Sequence, residues 1–160
     1  MKLLYRVLCT FLIIACAVSS AGANLLEDGG FQSWPTVWLM TGTNVFSGNS
    51  FDSYDRDLRV AETPEGGTIW QEIPAWRDGR YTFSICGTNG AFDADTLIQV
   101  RLDFLSSEGA TLLALSTNAC ADCWRTYTLS AAAPTGTVIV RPSLFIGIST
   151  STNGIGYWDD

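Results

Sequence analysis

Histidine is missing from all 160 residues. Its absence removes the commonest general base, the usual zinc ligand and every Ser-His-Asp or Cys-His scheme. Lysine occurs once, as Lys2. Loss of the N-terminal segment would therefore also remove Schiff-base and P-loop chemistry. Charge is scarce and one-sided: 16% of residues are charged and the formal net charge is −7. So acidic a surface repels phosphate backbones and anionic headgroups, which argues against nucleic acid and membrane lipid as partners. No apolar run reaches the roughly 20 residues that a transmembrane helix needs. None of GxGxxG, GxSxG, GxxxxGK[ST] or HExxH occurs. What is plentiful is apolar material, 47% of the chain, which suits one domain with a substantial core and rules out intrinsic disorder.

The first segment reads as an address. Lys2 and Arg6 precede the uncharged run Val7–Val18 (VLCTFLIIACAV), and Ala21 and Ala23 stand at the spacing a signal peptidase reads. A charged stretch, a short apolar stretch and an Ala-x-Ala site make a secretory signal over residues 1–23, with residues 24–160 as the mature domain. The expected location is secreted, extracellular. Ile13-Ile14-Ala15-Cys16 offers an alternative, since it resembles a bacterial lipobox and would anchor a cell-envelope lipoprotein at Cys16.

Cleavage after Ala23 leaves seven basic residues, all arginine, against 16 acidic ones, for a net charge of −9. It also leaves Cys86, Cys120 and Cys123, an odd number for an oxidising compartment. Cys120 and Cys123 form a CxxC, but no βαβ context supports a redox motif, and neither a second CxxC nor a histidine pair supports zinc. We read Cys120 and Cys123 as a small loop disulfide. A bond from Cys86 to one of them is the alternative.

The mature chain reads as strands. Short runs rich in Thr, Val, Ile, Tyr and Phe alternate with Gly, Asn, Asp and Pro, and apolar spacing at i, i+3, i+4 and i+7 is nowhere sustained. Gly67–Ile73 is one run, followed by a turn at Arg77-Asp78-Gly79-Arg80. Tyr81–Cys86 is the next, ended by the turn-rich Gly87-Thr88-Asn89-Gly90. Thr96–Phe104 alternates most cleanly: Ile98, Val100, Leu102 and Phe104 face one way, Gln99, Arg101 and Asp103 the other. Ala110–Ser116, Trp124–Ser130 and Thr137–Ile146 follow. Gly147–Asn153 reads as a loop, and Phe51–Asp57 as an irregular acidic stretch. Tyr157–Asp160 begins a final strand that is apparently incomplete. Turn signals at intervals of about ten residues predict an all-β antiparallel β-sandwich.

The order of these motifs resembles a family. Asn24-Leu25-Leu26, then Gly29-Gly30-Phe31-Gln32 and Trp38, is similar to the opening of carbohydrate-binding modules of the xylan- and glucan-binding type, which are galactose-binding-domain-like jelly rolls. Gln71, Asp78-Gly79, Tyr81-Thr82-Phe83-Ser84, Trp124, Ala133–Val140 and Tyr157–Asp160 continue the likeness in order. It spans Asn24–Asp160. Two departures stand out: Gln32 replaces the family's Glu, and the family continues past its Asp-Asp with a strand end. The resemblance implies a jelly roll whose outer sheet face binds a polysaccharide or glycan.

On that expectation, strand parity selects the site. With Ile69, Gln71, Ile73, Val138, Val140, Leu144 and Ile146 inward, the outward groups are Trp70, Glu72 and Arg141, joined by Gln99, Arg101 and Asp103. An indole stacks on the C–H face of a sugar ring, and planar polar groups bond its hydroxyls. Cross-strand ion pairing on a solvated face is the plainer reading of the charged residues. The resemblance places Trp38, Trp124 and Trp158 in the core. Trp34, Trp76 and Tyr54 are left as loop aromatics. It also implies a structural calcium near Gln32 and Asp160, with Gly29 or Gly30 carbonyls; Gln32 brings one charge fewer than the family's Glu. Asp93 with Asp95, and Asp52, Asp55 and Asp57, are other oxygen clusters. A glycosidase needs two carboxylates across a scissile bond, and only Glu72 and Asp103 share a face, so no enzymatic activity is expected. The expected function is non-catalytic carbohydrate binding. The alternative from another class is a structural or adhesive surface domain that binds protein or serves as a spacer.

Overall fold

The computed structural model describes residues 24–27, 37–41, 45–49, 56–61, 67–89, 97–120, 123–147 and 155–159. Eleven strands run through them: β1 Leu39–Thr41, β2 Val45–Asn49, β3 Arg56–Ala61, β4 Gly67–Trp70, β5 Ile73–Pro74, β6 Arg80–Asn89, β7 Ile98–Leu105, β8 Thr111–Asn118, β9 Arg125–Ala132, β10 Ile139–Ile146 and β11 Ile155–Asp159. Among the described residues there is no helix, and so none long and apolar enough to cross a membrane. Every pairing is antiparallel. One sheet has the order β1-β4-β10-β7-β8, with β5 also on β10, and the other has the order β2-β3-β11-β6-β9. The chain is an all-β sandwich.

Alternation builds the core. Along β7, Ile98, Val100, Leu102 and Phe104 are buried while Gln99, Arg101 and Asp103 are half-buried on the other face. Ile69, Val140 and Leu144 extend this inner face across β4 and β10. Tyr81, Phe83, Ile85, Tyr127 and Trp158 supply the facing side, with Trp38 packed among them. Tyr81 and Phe104 meet edge to face across the two layers, centroids 6.0 Å apart. Each fully buried side chain of this kind contributes about 1.5–3 kcal/mol.

Two tyrosines also finish loops. The Tyr127 hydroxyl accepts the Cys120 N–H at 2.6 Å, beside a disulfide joining Cys120 and Cys123. Cys86 is a half-buried free thiol. The Tyr81 hydroxyl accepts the Trp76 N–H at 2.6 Å, bracing the turn at 76–79. In that turn Asp78 takes a positive φ of 59°. Gly79 follows, and a Cβ there would stand 2.9 Å from the Tyr81 ring, so a larger residue has no room.

Several boundaries differ from the sequence expectation. Gly87–Asn89 does not turn: it continues β6, because β11 pairs with it from Gly156↔Asn89 to Asp159↔Cys86. Arg56 and Asp57 open β3 instead of belonging to an irregular stretch. Strands β1, β2 and β3 carry no clear alternation; β1 gains its pairing from β4, β3 from β11, and β2 from β3. The run Gly67–Ile73 splits into β4 and β5. Pro142 lies opposite that break, in a central strand where proline is normally excluded. Its carbonyl accepts the Gln71 N–H at 3.3 Å, so its missing N–H faces the interruption and costs no ladder bond. Gln71 is buried and clasps Glu27, accepting its N–H and donating to its carbonyl. That pair ties the opening segment to the sheet.

Two expected core residues lie outside. Trp124 is 51% exposed because it shares the outward parity of Thr126 and Thr128, whereas Tyr127 points in. Val138 is 46% exposed: it precedes β10, at the rim of the sandwich. Trp38 and Trp158 are buried.

Candidate functional site

The outer face of the six-stranded sheet collects the polar and aromatic residues. Register fixes the neighbours. Trp70 on β4 lies between Leu39 of β1 and Ser143 of β10. Arg141 pairs with Asp103, Ser143 with Arg101, and Phe145 with Gln99. On the far side Gln99 meets Asn118 and Arg101 meets Ser116. Glu72 stands in the break between β4 and β5 and reaches Arg141, Oε1 to Nη2 at 2.6 Å. Trp70, Glu72, Gln99, Arg101, Asp103 and Arg141 are thereby brought to one face.

Each arginine is held differently. The Arg101 guanidinium sits over the Phe145 ring, Cζ 3.5 Å from its centroid. Its Nε and Nη2 both donate to Gln99 Oε1, at 3.0 and 2.7 Å. Gln99 in turn donates to Asn118 Oδ1 at 2.9 Å. Stacking and a bidentate bond fix the guanidinium plane while its anchor is a neutral amide. Burial lowers the Arg101 pKa and Asp103 opposes that shift; a guanidinium is basic enough to stay charged regardless. Arg141 has Glu72 for a partner, and its Cζ is 5.7 Å from the Trp70 ring centroid.

Asp103 sits between them. Burial pushes its carboxyl above the usual carboxylate range, and nearby Arg101 and Arg141 pull it back only in part. The face also leaves donors unused. Among the described residues three buried side-chain nitrogens have no hydrogen-bond partner: Trp70 Nε1 and Arg141 Nε on this face, and Trp158 Nε1 in the core. A buried polar group without a partner is costly, of the order of 1–3 kcal/mol, so a ligand oxygen that reached the two donors on this face would be rewarded.

Sequence reasoning missed Phe145, Ser143 and Asn118. The signal for the first two was present: residues 143 and 145 share the parity of Arg141. Asn118 was hidden because Ala110–Ser116 stopped short of the end of β8 at Asn118. Gln32, Asp160, Cys16, Trp34 and Tyr54 lie outside the described residues, as do residues 1–23, the calcium glycines Gly29 and Gly30, and Asp52, Asp55, Asp93 and Asp95. Of the second acidic cluster only Asp57 is described, as part of β3.

Known structures share this architecture. The family 16 carbohydrate-binding module-2 superposes with a TM-score of 0.65 at 14% identity, over 86% of this chain and 96% of that one. The fold is that of the carbohydrate-binding-module jelly rolls. A xylan-binding domain from Paenibacillus barcinonensis superposes with a TM-score of 0.58 at 15% identity, over 88% of this chain and 92% of that one. The enzymatically active domain of bacteriophage CBA120 tailspike protein 4 matches with a TM-score of 0.65 at 17% identity. This chain spans only 20% of that tailspike while 84% of it is covered, so the jelly roll also occurs as one part of a larger protein. No protein-family model matches the sequence, and no curated protein matches it.

Proposed function

We propose that this jelly roll binds carbohydrate without cutting it, through the outer face of its six-stranded sheet. The observation that carries the reading is Arg141 beside the Trp70 indole, with Arg101 stacked on Phe145 on the same face and Trp70 Nε1 and Arg141 Nε left without partners there. Sugar hydroxyls are acceptors as well as donors, and a ring lying across β4 and β10 would offer them to both nitrogens once the side chains that cover these atoms move aside. Arg101 is fixed in place before any ligand arrives, which lowers the ordering cost of binding. Trp70 is half-buried and attended by Arg141, so its role is an edge contact and a hydrogen bond more than an open stacking platform.

Glycoside hydrolysis fits poorly. Glu72 is engaged with Arg141, so among the described residues of this face Asp103 has no second free carboxylate across a bond. The fold is also shared with modules described as binding xylan or β-1,4-galactotriose.

Affinity electrophoresis in gels holding xylan, β-glucan, mannan or galactan tests this, with Trp70→Ala and Arg101→Ala run alongside. The expected result is retardation by one polysaccharide that both variants lose. A folded chain that runs free in every gel overturns the reading. It would favour an adhesive role, for which the edge strand β1 offers exposed Leu39 and Met40.

A further inference from the structure

A second constellation lies away from that face, at the end of the sandwich where β5 leads into β6 and β9 into β10. Trp76 is 66% exposed there, the most exposed of the large apolar side chains described. It lines a cavity of about 290 Å³ with Arg77 and Asp78 on one rim and Pro134, Thr135 and Thr137 on the other. Leaving an indole in water forgoes the burial that a tryptophan ordinarily supplies.

The loops beneath it are not loose. The Trp76 N–H is held by the Tyr81 hydroxyl, and the Trp76 carbonyl accepts the Gly79 N–H at 3.0 Å. Ala75 N–H bonds Val138 O, and Ala133 N–H bonds Gly79 O, both at 2.8 Å, so the two rims are stitched together. Thr137 closes its own turn, with N–H and hydroxyl both donating to the Pro134 carbonyl at 3.1 and 2.8 Å. A braced backbone thus presents an open aromatic face beside polar groups that remain solvated. The Arg77 and Asp78 side chains are separated by 3.7 Å and almost fully exposed.

We infer that this loop end is a second glycan site, taking one sugar ring on Trp76 with Arg77, Asp78 and Thr135 in reach of its hydroxyls. The ligand class rests on the carbohydrate-binding reading above; the location does not. The cavity lies at the lower limit of small-molecule sites, about 300 Å³, which suits a single ring and not a chain of several. Thr137 and Arg141 are four residues apart along one extended segment, roughly 13 Å at the usual rise per residue. The loop end is therefore near the sheet-face site and separate from it.

The test follows the tryptophan indole N–H resonances of the whole chain during titration with xylohexaose, cellohexaose or β-1,4-galactotriose. Each probe is taken to about 10 mM, enough to populate a millimolar site. Trp76→Phe and Trp70→Phe assign the two signals by their loss. The expected result is that one probe moves both signals. In Arg101→Ala the Trp70 shift should vanish, while the Trp76 shift persists with an apparent Kd changed by less than about threefold. A Trp76 signal that stays still while Trp70 saturates overturns the second site and leaves carbohydrate binding standing. Loss of both shifts in Arg101→Ala also overturns it, by showing one continuous site. A Trp76 signal that moves alone keeps the loop-end site and overturns the sheet-face reading. Stillness of every signal with all three probes overturns both.

Discussion

Two strand pairs, β6 with β9 and β7 with β10, are built by the same alternation and present different chemistry on the outer faces of the sandwich. On the five-stranded sheet, β6 and β9 turn out Thr82, Ser84, Thr128 and Ser130. Their hydroxyls bond across the strands, Thr82 to Ser130 at 3.0 Å and Ser84 to Thr128 at 3.1 Å. On the six-stranded sheet, β7 and β10 turn out Gln99, Arg101, Asp103, Arg141 and Phe145, and with Trp70 they leave two buried donors without partners. These four short side chains of the first face satisfy one another. The second holds long, planar, charged groups whose hydrogen-bonding capacity exceeds what their neighbours supply. Unequal self-satisfaction, more than composition, separates these strand pairs, and it is the basis for proposing the second as the binding face.

The largest expected contrast is in affinity. Arg101→Ala should weaken glycan binding at least about a hundredfold, since it removes a preorganised guanidinium, whereas Ser84→Ala on the opposite face should leave it within about twofold. Calorimetric titration of both variants decides the matter, and equal losses would erase the distinction. Trp70→Phe keeps a ring and removes Nε1; a loss of about tenfold is expected in the same titration if that orphan donor meets the ligand.

A smaller effect concerns stability. Ser84 and Thr128 are exposed, so a double-mutant cycle with Ser84→Ala and Thr128→Ala should return a coupling below about 0.5 kcal/mol by denaturant unfolding. A larger value would mean the hydroxyl face also carries the fold. The smallest effect is a pH dependence on the charged face. Asp103 has its pKa raised by burial, so the folded chain disfavours its ionised form. The resulting penalty is present above the raised pKa and disappears as pH falls through it towards the ordinary carboxylate value. Asp103→Asn should therefore melt above the wild type near about pH 7, and the gap should close by about pH 4. A gap that widens on acidification would show that Arg101 and Arg141 outweigh burial.

Much of the fold was legible where two signals coincided. Thr96–Phe104 alternates strictly, and the structure places its apolar half in the core and its polar half outside as β7. Asp78-Gly79 marks a turn because Gly79 has no space for a side chain beside Tyr81. Legibility failed where pairing overrode local preference. Gly87-Thr88-Asn89 reads as a turn, yet β11 recruits it as strand. Trp124 resembled a core position, and its parity with Thr126 put it in solvent.

For the site, the sequence alone determined which side chains share a face, because a period of two is a local property of extended chain. Parity sorted Gln99, Arg101 and Asp103 to one side of β7 and Arg141 to one side of β10, while the family resemblance supplied the expectation that these strands share a sheet. Adjacency was decided only by tertiary structure. The pairing of β10 with β7 and β4 set Arg101 on Phe145, Arg141 on Glu72 and beside Trp70, and Asp103 within reach of both arginines. Apart from Arg101 and Asp103, which are neighbours on one strand, those contacts span 38 to 71 residues of chain, and no local pattern encodes which distant strand will close the ladder. The sequence fixes parity through local stereochemistry, while the core's packing chooses the partners.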